Sequence, residues 1–173
     1  LIINGKNAGY IEVGYLAKKP DENEGPFLKE ERTLLDSVAE KLSRIIGRKQ
    51  AIKELQLNKE RLQLALHAGQ LGLWDWNVKT DKVHFNERWA EMLGYSLNEI
   101  KLELGTWEKL TNPADLEVAQ NRLEKHFKGE TDYYECEMRM QHKSGKWLWI
   151  RDIGKVIEWD PEGNPVSACG IHL

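Results

Sequence analysis

The sequence predicts an α+β fold, a five-stranded antiparallel sheet with helices on one face, preceded by a long linker helix. Three observations predict it. Within residues 134–173, two polar turns separate three strand-like runs. Within residues 73–85, another polar turn separates two more. Several short helical segments fill the interval between the two sets.

The last three strands carry the firmest pattern. Tyr134, Cys136, Met138 and Met140 alternate with Glu135, Glu137, Arg139 and Gln141, the period of a strand with one buried and one wet face. His142-Lys143-Ser144-Gly145-Lys146 then turns the chain, and an aromatic-rich run over 147–159 follows. Asp160-Pro161-Glu162-Gly163-Asn164-Pro165 is a second turn before a closing strand over 166–173.

Upstream, residues 73–78 and 83–85 read as strands joined through Lys79-Thr80-Asp81-Lys82. Asn86 is a good N-cap for a short helix over 87–93, which Gly94 closes. Ser96 caps a second helix, Trp107 and Leu110 mark a third, and residues 115–128 form a longer one that ends at Gly129.

The first third reads differently. Residues 9–16 form a plausible strand with Ile11, Val13 and Tyr15 on one face, and Phe27-Leu28-Lys29-Glu30-Glu31 opens a helix after a charged loop. That helix continues over 33–66, with Gly47 as a soft spot costing about 1 kcal/mol against alanine. Leu35, Val38, Leu42, Ile45, Lys49 and Ile52 are spaced by three and four, and Leu55, Lys59, Leu62 and Leu66 continue the stripe after a skip. The stripe is either one face of an amphipathic helix packed on its own domain or the seam of a parallel coiled coil in a homodimer. Length favours the coil, and lysines in the seam suit a linker that changes state.

Composition narrows the function. A net charge of −3 gives no basic excess for nucleic acid. All seven tryptophans lie in the second part of the chain, where the core must form. Cys136 and Cys169, the two cysteines, sit in apolar strand patterns and read as buried thiols in a reducing cytoplasm. No stretch approaches the roughly 20 apolar residues of a membrane span.

Residues 61–173 resemble a PAS domain with its C-terminal PAC motif. The resemblance rests on Gly72-Leu73-Trp74-Asp75-Trp76-Asn77, Phe85-Asn86-Glu87-Arg88-Trp89, Leu93-Gly94-Tyr95-Ser96 and Trp107 with Pro113-Ala114-Asp115. It continues through Glu137-Met138-Arg139-Met140, Lys143-Ser144-Gly145-Lys146-Trp147-Leu148-Trp149-Ile150 and the 160–165 turn followed by Gly170-Ile171. Asn112-Pro113-Ala114-Asp115 departs from the family's His-Pro-Asp-Asp. Gly9-Tyr10-Ile11, Gly25-Pro26-Phe27-Leu28 and Glu31 resemble the end of a GAF domain. These likenesses imply a GAF remnant over 1–32, a linker helix over 33–66 and a PAS/PAC domain over 67–173. Together they resemble the input region of a sensor histidine kinase or, less specifically, a diguanylate cyclase, with a downstream output domain as partner.

No phosphoacceptor sequence, phosphate-cradling loop or usable catalytic set occurs, so the chain is expected to be non-enzymatic. A haem-binding member would need an inward histidine on the long PAS helix; His126 is the candidate there, close to the helix end, and is expected at the surface or in a cap. His67, His84, His142 and His172 show no metal-ligand spacing and are expected on solvated surfaces. The segment between Tyr95 and Asp115 holds no cysteine for flavin photochemistry. The candidate pocket comprises Trp76, Phe85, Trp89, Leu93, Trp107, Leu123, Phe127, Tyr134, Cys136, Met138 and Trp149, which either fill the space between helices and sheet as core or line a small-ligand site there.

Overall fold

The computed structural model describes residues 1–3, 5–20 and 28–173, in two compact units, 1–62 and 63–173. In the first, a two-residue strand β1 (Ile2–Ile3) pairs with β2 (Lys6–Asn7), and helix α1 (Lys29–Ala68) begins. Glu31 accepts from the Leu28 N–H at 2.9 Å, so a first-turn carboxylate satisfies an otherwise free donor at the helix start. Phe27, Gly25 and Pro26 lie outside the described residues.

The strand expected over 9–16 is not one. Tyr10, Ile11, Val13 and Leu16 are exposed, and no described strand lies beside them to take their main-chain hydrogen bonds, so alternation alone does not make a ladder. The long helix does form, and Gly47 sits inside it unbroken. No residue of α1 is fully buried. Val38, Leu42, Ile45, Ile52, Leu55 and Leu62 are exposed, while Leu35 and Leu66 are half-buried.

The second unit is the α+β domain. Its sheet contains β3 (Gly72–Asn77), β4 (Lys82–Phe85), β5 (Tyr134–Gln141), β6 (Trp147–Trp159) and β7 (Pro165–His172), in the order β4-β3-β7-β6-β5, antiparallel throughout. Between the two strand sets come α2 (Glu87–Glu91), a 3₁₀ turn (Leu97–Glu99), α3 (Leu104–Leu110) and α4 (Pro113–Phe127). Asn112 caps α4 by accepting from the Ala114 N–H, with Pro113 at the first position, where a missing N–H costs nothing.

The core lies between these helices and one sheet face. Tyr134, Cys136, Met138 and Met140 all point into it, as their alternation predicts. Cross-strand pairing with β5 fixes the phase of β6: Met138 faces Ile150 and Cys136 faces Asp152, so Ile150, Asp152, Gly154 and Val156 turn inward. Trp149 pairs with Arg139 on the opposite face, 68% exposed, with the guanidinium 5.5 Å from its ring. It therefore does not belong to the interior group in which the aromatic run suggested placing it.

Candidate functional site

Two glycines make room for the element on which the site rests. Gly154 of β6 and Gly170 of β7 are register partners, and a Cβ on either would run into the indole of Trp74. The bare backbone lets that ring lie against the sheet. Its Nε1 then donates 2.7 Å to Oδ1 of Asp152, and Oδ2 of the same carboxylate lies 3.2 Å from Nε2 of His172, the cross-strand partner of Asp152. All three side chains are buried, so a carboxylate in the core has a partner on each oxygen.

Trp74, Asp152 and His172 border a cavity of about 40 Å³, together with Trp76, Val83, Phe85, Trp89, Leu104, Trp107, Leu123 and Tyr134. Six expected pocket residues thus meet on one wall: Trp76, Phe85, Trp89, Trp107, Leu123 and Tyr134. Leu93, Cys136 and Met138 are buried in the same core but stand off the cavity, and Phe127 packs beside it with its ring 5.8 Å from that of Trp76. Phe85 and Trp89 stack at 3.8 Å between centroids, and Trp89 tilts against His172 at 5.5 Å.

Among the described residues, the buried side-chain polar atoms with no partner are Nε1 of Trp76, Trp89 and Trp107, the Tyr134 hydroxyl and Nδ1 of His172. Burial first, and the neighbouring charge of Asp152 second, push the Tyr134 phenol far above its ordinary range, so it keeps its proton. Burial likewise raises the Cys136 thiol, which is inert as a nucleophile in that form.

The histidines correct two expectations. His172 is 1% exposed and belongs to the site rather than to a solvated strand surface. An inward position on β7 decides that, and its polarity hid it. His126 is also buried: Nδ1 lies 2.8 Å from the Thr131 carbonyl, which it meets as a donor, and Nε2 accepts from the Val156 N–H at 3.1 Å. The β6–β7 register shifts between Val156 and Glu158, and His126 supplies the acceptor there, pinning the end of α4 to the sheet. Trp74, Val83 and Leu104, apolar residues outside the expected pocket group, and Asp152 were missed as well. The signal for Asp152 was available, because a five-residue turn pairing Gln141 with Trp147 places Asp152 opposite inward Cys136.

Asn86 joins the cavity wall to the segment that follows α1. Its Oδ1 accepts from the N–H groups of Trp89 at 2.9 Å and Leu73 at 2.8 Å, and its Nδ2 donates to the Leu71 carbonyl at 3.0 Å. Arg88 reaches back to Gln70, donating to its carbonyl at 3.3 Å and its side-chain oxygen at 2.9 Å. The segment between α1 and β3 is therefore tied to α2, whose Trp89 forms part of the cavity wall.

Comparison with known proteins agrees with this architecture. Residues 82–172 match the PAS fold. The chain belongs to the PAS fold family. A sensory box histidine kinase/response regulator from Burkholderia thailandensis superposes on this PAS domain with a TM-score of 0.57 and 29% identity, covering 65% of this chain and 82% of that one. The N-terminal domain of a diguanylate cyclase with PAS/PAC sensor from Marinobacter aquaeolei shares the fold with a TM-score of 0.52 at 23% identity, covering 60% and 93%. A hybrid signal transduction histidine kinase A from Dictyostelium discoideum is 41% identical over 49 residues, 28% of this chain. This chain spans 2% of that relative's length.

Among the described residues no cluster of metal-ligating side chains occurs, and no helix is long and apolar enough to cross a membrane. The cavity is far smaller than the roughly 300–1,000 Å³ of pockets that hold drug-sized ligands. A flavin- or haem-sized group does not fit the side chains as they stand.

Proposed function

We propose that this chain is a cytoplasmic sensory input module of a multidomain signal-transduction protein with a histidine kinase output. The PAS core detects a small ligand, and α1 carries the result along the chain. Residues 1–32 are then the tail of a preceding domain and 33–66 the linker. The observation that carries this reading is a PAS core with a small cavity whose wall residue Trp89 is hydrogen-bonded, through Asn86, to the segment that follows α1. Kinase relatives supply the class of output. Filling the cavity biases Trp89 and Asn86 between two arrangements, and the linker inherits the bias. The largely exposed stripe from Leu35 to Leu66 serves as the seam of a homodimer.

A ligand-free interaction module is the second reading, and the smallness of the cavity favours it. Native mass spectrometry with a UV–visible spectrum, on protein purified without added ligand, separates the two. A dimer carrying a bound small mass supports the sensor. A clean dimer moves the assignment to the interaction module, and a clean monomer contradicts the stripe as a seam.

A further inference from the structure

We propose that α1 carries two overlapping heptad seams, offset by one residue, and that a second copy of this chain pairs with it through either one. The proposal rests on the homodimer reading above and gives that seam its two states. Val38, Ile45, Ile52, Lys59 and Leu66 recur at intervals of seven residues. A helix packed on its own domain drifts by about 20° per heptad against such a pattern, whereas a strict repeat of seven keeps one face toward a partner helix. Ile45, Ile52, Leu55 and Leu62 are each more than half exposed, so the described residues of the chain itself leave that face uncovered.

The neighbours of these residues define the two seams. In the first, the shared residues fall at d, with Leu42, Lys49 and Gln56 at a. In the second they fall at a, with Lys41, Arg48, Leu55 and Leu62 at d. The skip between Ile52 and Leu55 is the point where the apolar neighbours pass from the first seam to the second. The second sets β-branched Val38, Ile45 and Ile52 at a and leucines at d, the assignment that specifies two parallel strands. The first reverses it, with leucine at a and isoleucine at d, which suits larger bundles. The second is therefore the resting seam of the homodimer.

Neither seam is apolar throughout. The second buries Leu55 and Leu62 but brings Lys41 and Arg48 against their own copies, where only the aliphatic stems are at home. The first takes Leu42 in place of Lys41, yet keeps a cation at Lys49 and sets Gln56 where the second has Leu55. Each seam is thus the better one in one half of the helix and the worse one in the other. Balanced in this way, the two packings form a two-state element. Passing between them turns each helix by half the angle between successive residues, about 50°, while the shared residues stay in the interface. A turn imposed on the end of α1 selects between them.

The test is disulfide cross-linking of the chain under mild oxidation, with Leu62→Cys reporting the second seam and Gln63→Cys the first. The unaltered chain, whose Cys136 is buried and Cys169 half-buried, sets the background. Parallel pairing brings either position against its own copy at disulfide distance when its seam is closed. Position 62 is expected to cross-link faster than 63 by about threefold or more. Lys41→Leu with Arg48→Leu, which makes the second seam more apolar, is expected to widen that ratio. Lys49→Leu with Gln56→Leu does the same for the first seam and is expected to reverse it. Faster cross-linking at 63 in the otherwise unaltered helix, a ratio that neither pair of substitutions moves, or movement in the same direction by both overturns the proposal. Sedimentation of the same chains separates that outcome from failure of the homodimer reading. A dimer that cross-links at neither position overturns the two parallel seams and leaves the homodimer standing, whereas monomers throughout remove both.

Discussion

Nε2 of His172 lies 3.2 Å from Oδ2 of Asp152, with the two side chains 1% and 4% exposed. This pair ties β7 to β6 inside the core, and Trp74 brings β3 into the same contact at 2.7 Å. A carboxylate at that depth persists because both its oxygens are engaged, so removing it leaves the Trp74 and His172 groups without partners. Asp152→Ala should lose about 2–5 kcal/mol of stability in urea denaturation. Asp152→Leu combined with His172→Phe should cost less than the sum of the two single changes. Additive losses would mean that the two residues act independently.

Gly170 tests how Trp74 is seated. A methyl group there meets both the indole and the Ile153 carbonyl. Gly170→Ala should therefore destabilise the domain by about 1–3 kcal/mol through overpacking. Gly105 is the contrast: it lies in α3 with nothing near its missing Cβ, and Gly105→Ala should stabilise by up to about 1 kcal/mol. Thermal melts of the two variants should move in opposite directions.

Asn86 holds three backbone groups at once. Asn86→Ala removes the α2 cap, worth about 1 kcal/mol, and also leaves the Leu73 N–H and the Leu71 carbonyl unsatisfied. Amide exchange should accelerate at Leu73 and Trp89 before it does in β5 and β6. Uniform acceleration would show a general loss of stability rather than release of the junction.

Acid should weaken the domain between about pH 4 and about pH 2. Arg139 donates to the Asp115 carboxylate from its side chain and from its backbone N–H, and holds it at about 2. Lys143, followed by the N–H and hydroxyl of Ser96, holds Glu99 at about 2 as well. A carboxylate lowered in the folded state contributes stability above its unfolded value, near 4, and that contribution disappears as the pH falls through the folded value. Asp115→Asn and Glu99→Gln should each flatten the acid limb of stability against pH while leaving its shape above pH 5 unchanged.

The sheet was legible because its strands announce themselves twice, through period-two burial and through turns at fixed places. Tyr134, Cys136, Met138 and Met140 could face only one way once one of them was inward. The start of the chain was less legible because residues 9–16 show the alternation without a neighbouring strand, and a ladder is a property of pairs. In the candidate site, six aromatic or aliphatic wall residues were readable from apolarity alone. Trp149 misled for the same reason: aromaticity suggested the core, whereas register places it with Arg139 outside. Asp152 and His172 were hidden because polar residues suggest solvent, and only the pairing of β5 with β6 and β7 turns them inward.

The central claim, that the state of this cavity sets the output of an attached kinase, is tested most directly by autophosphorylation. The chain would replace the PAS input of a histidine kinase, with the linker register kept, and wild type would be compared with His172→Phe and Asn86→Ala. We predict that both substitutions shift autophosphorylation severalfold while the fusion stays folded and assembled. Unchanged autophosphorylation in two folded variants would contradict the claim and leave the domain as a structural pairing module.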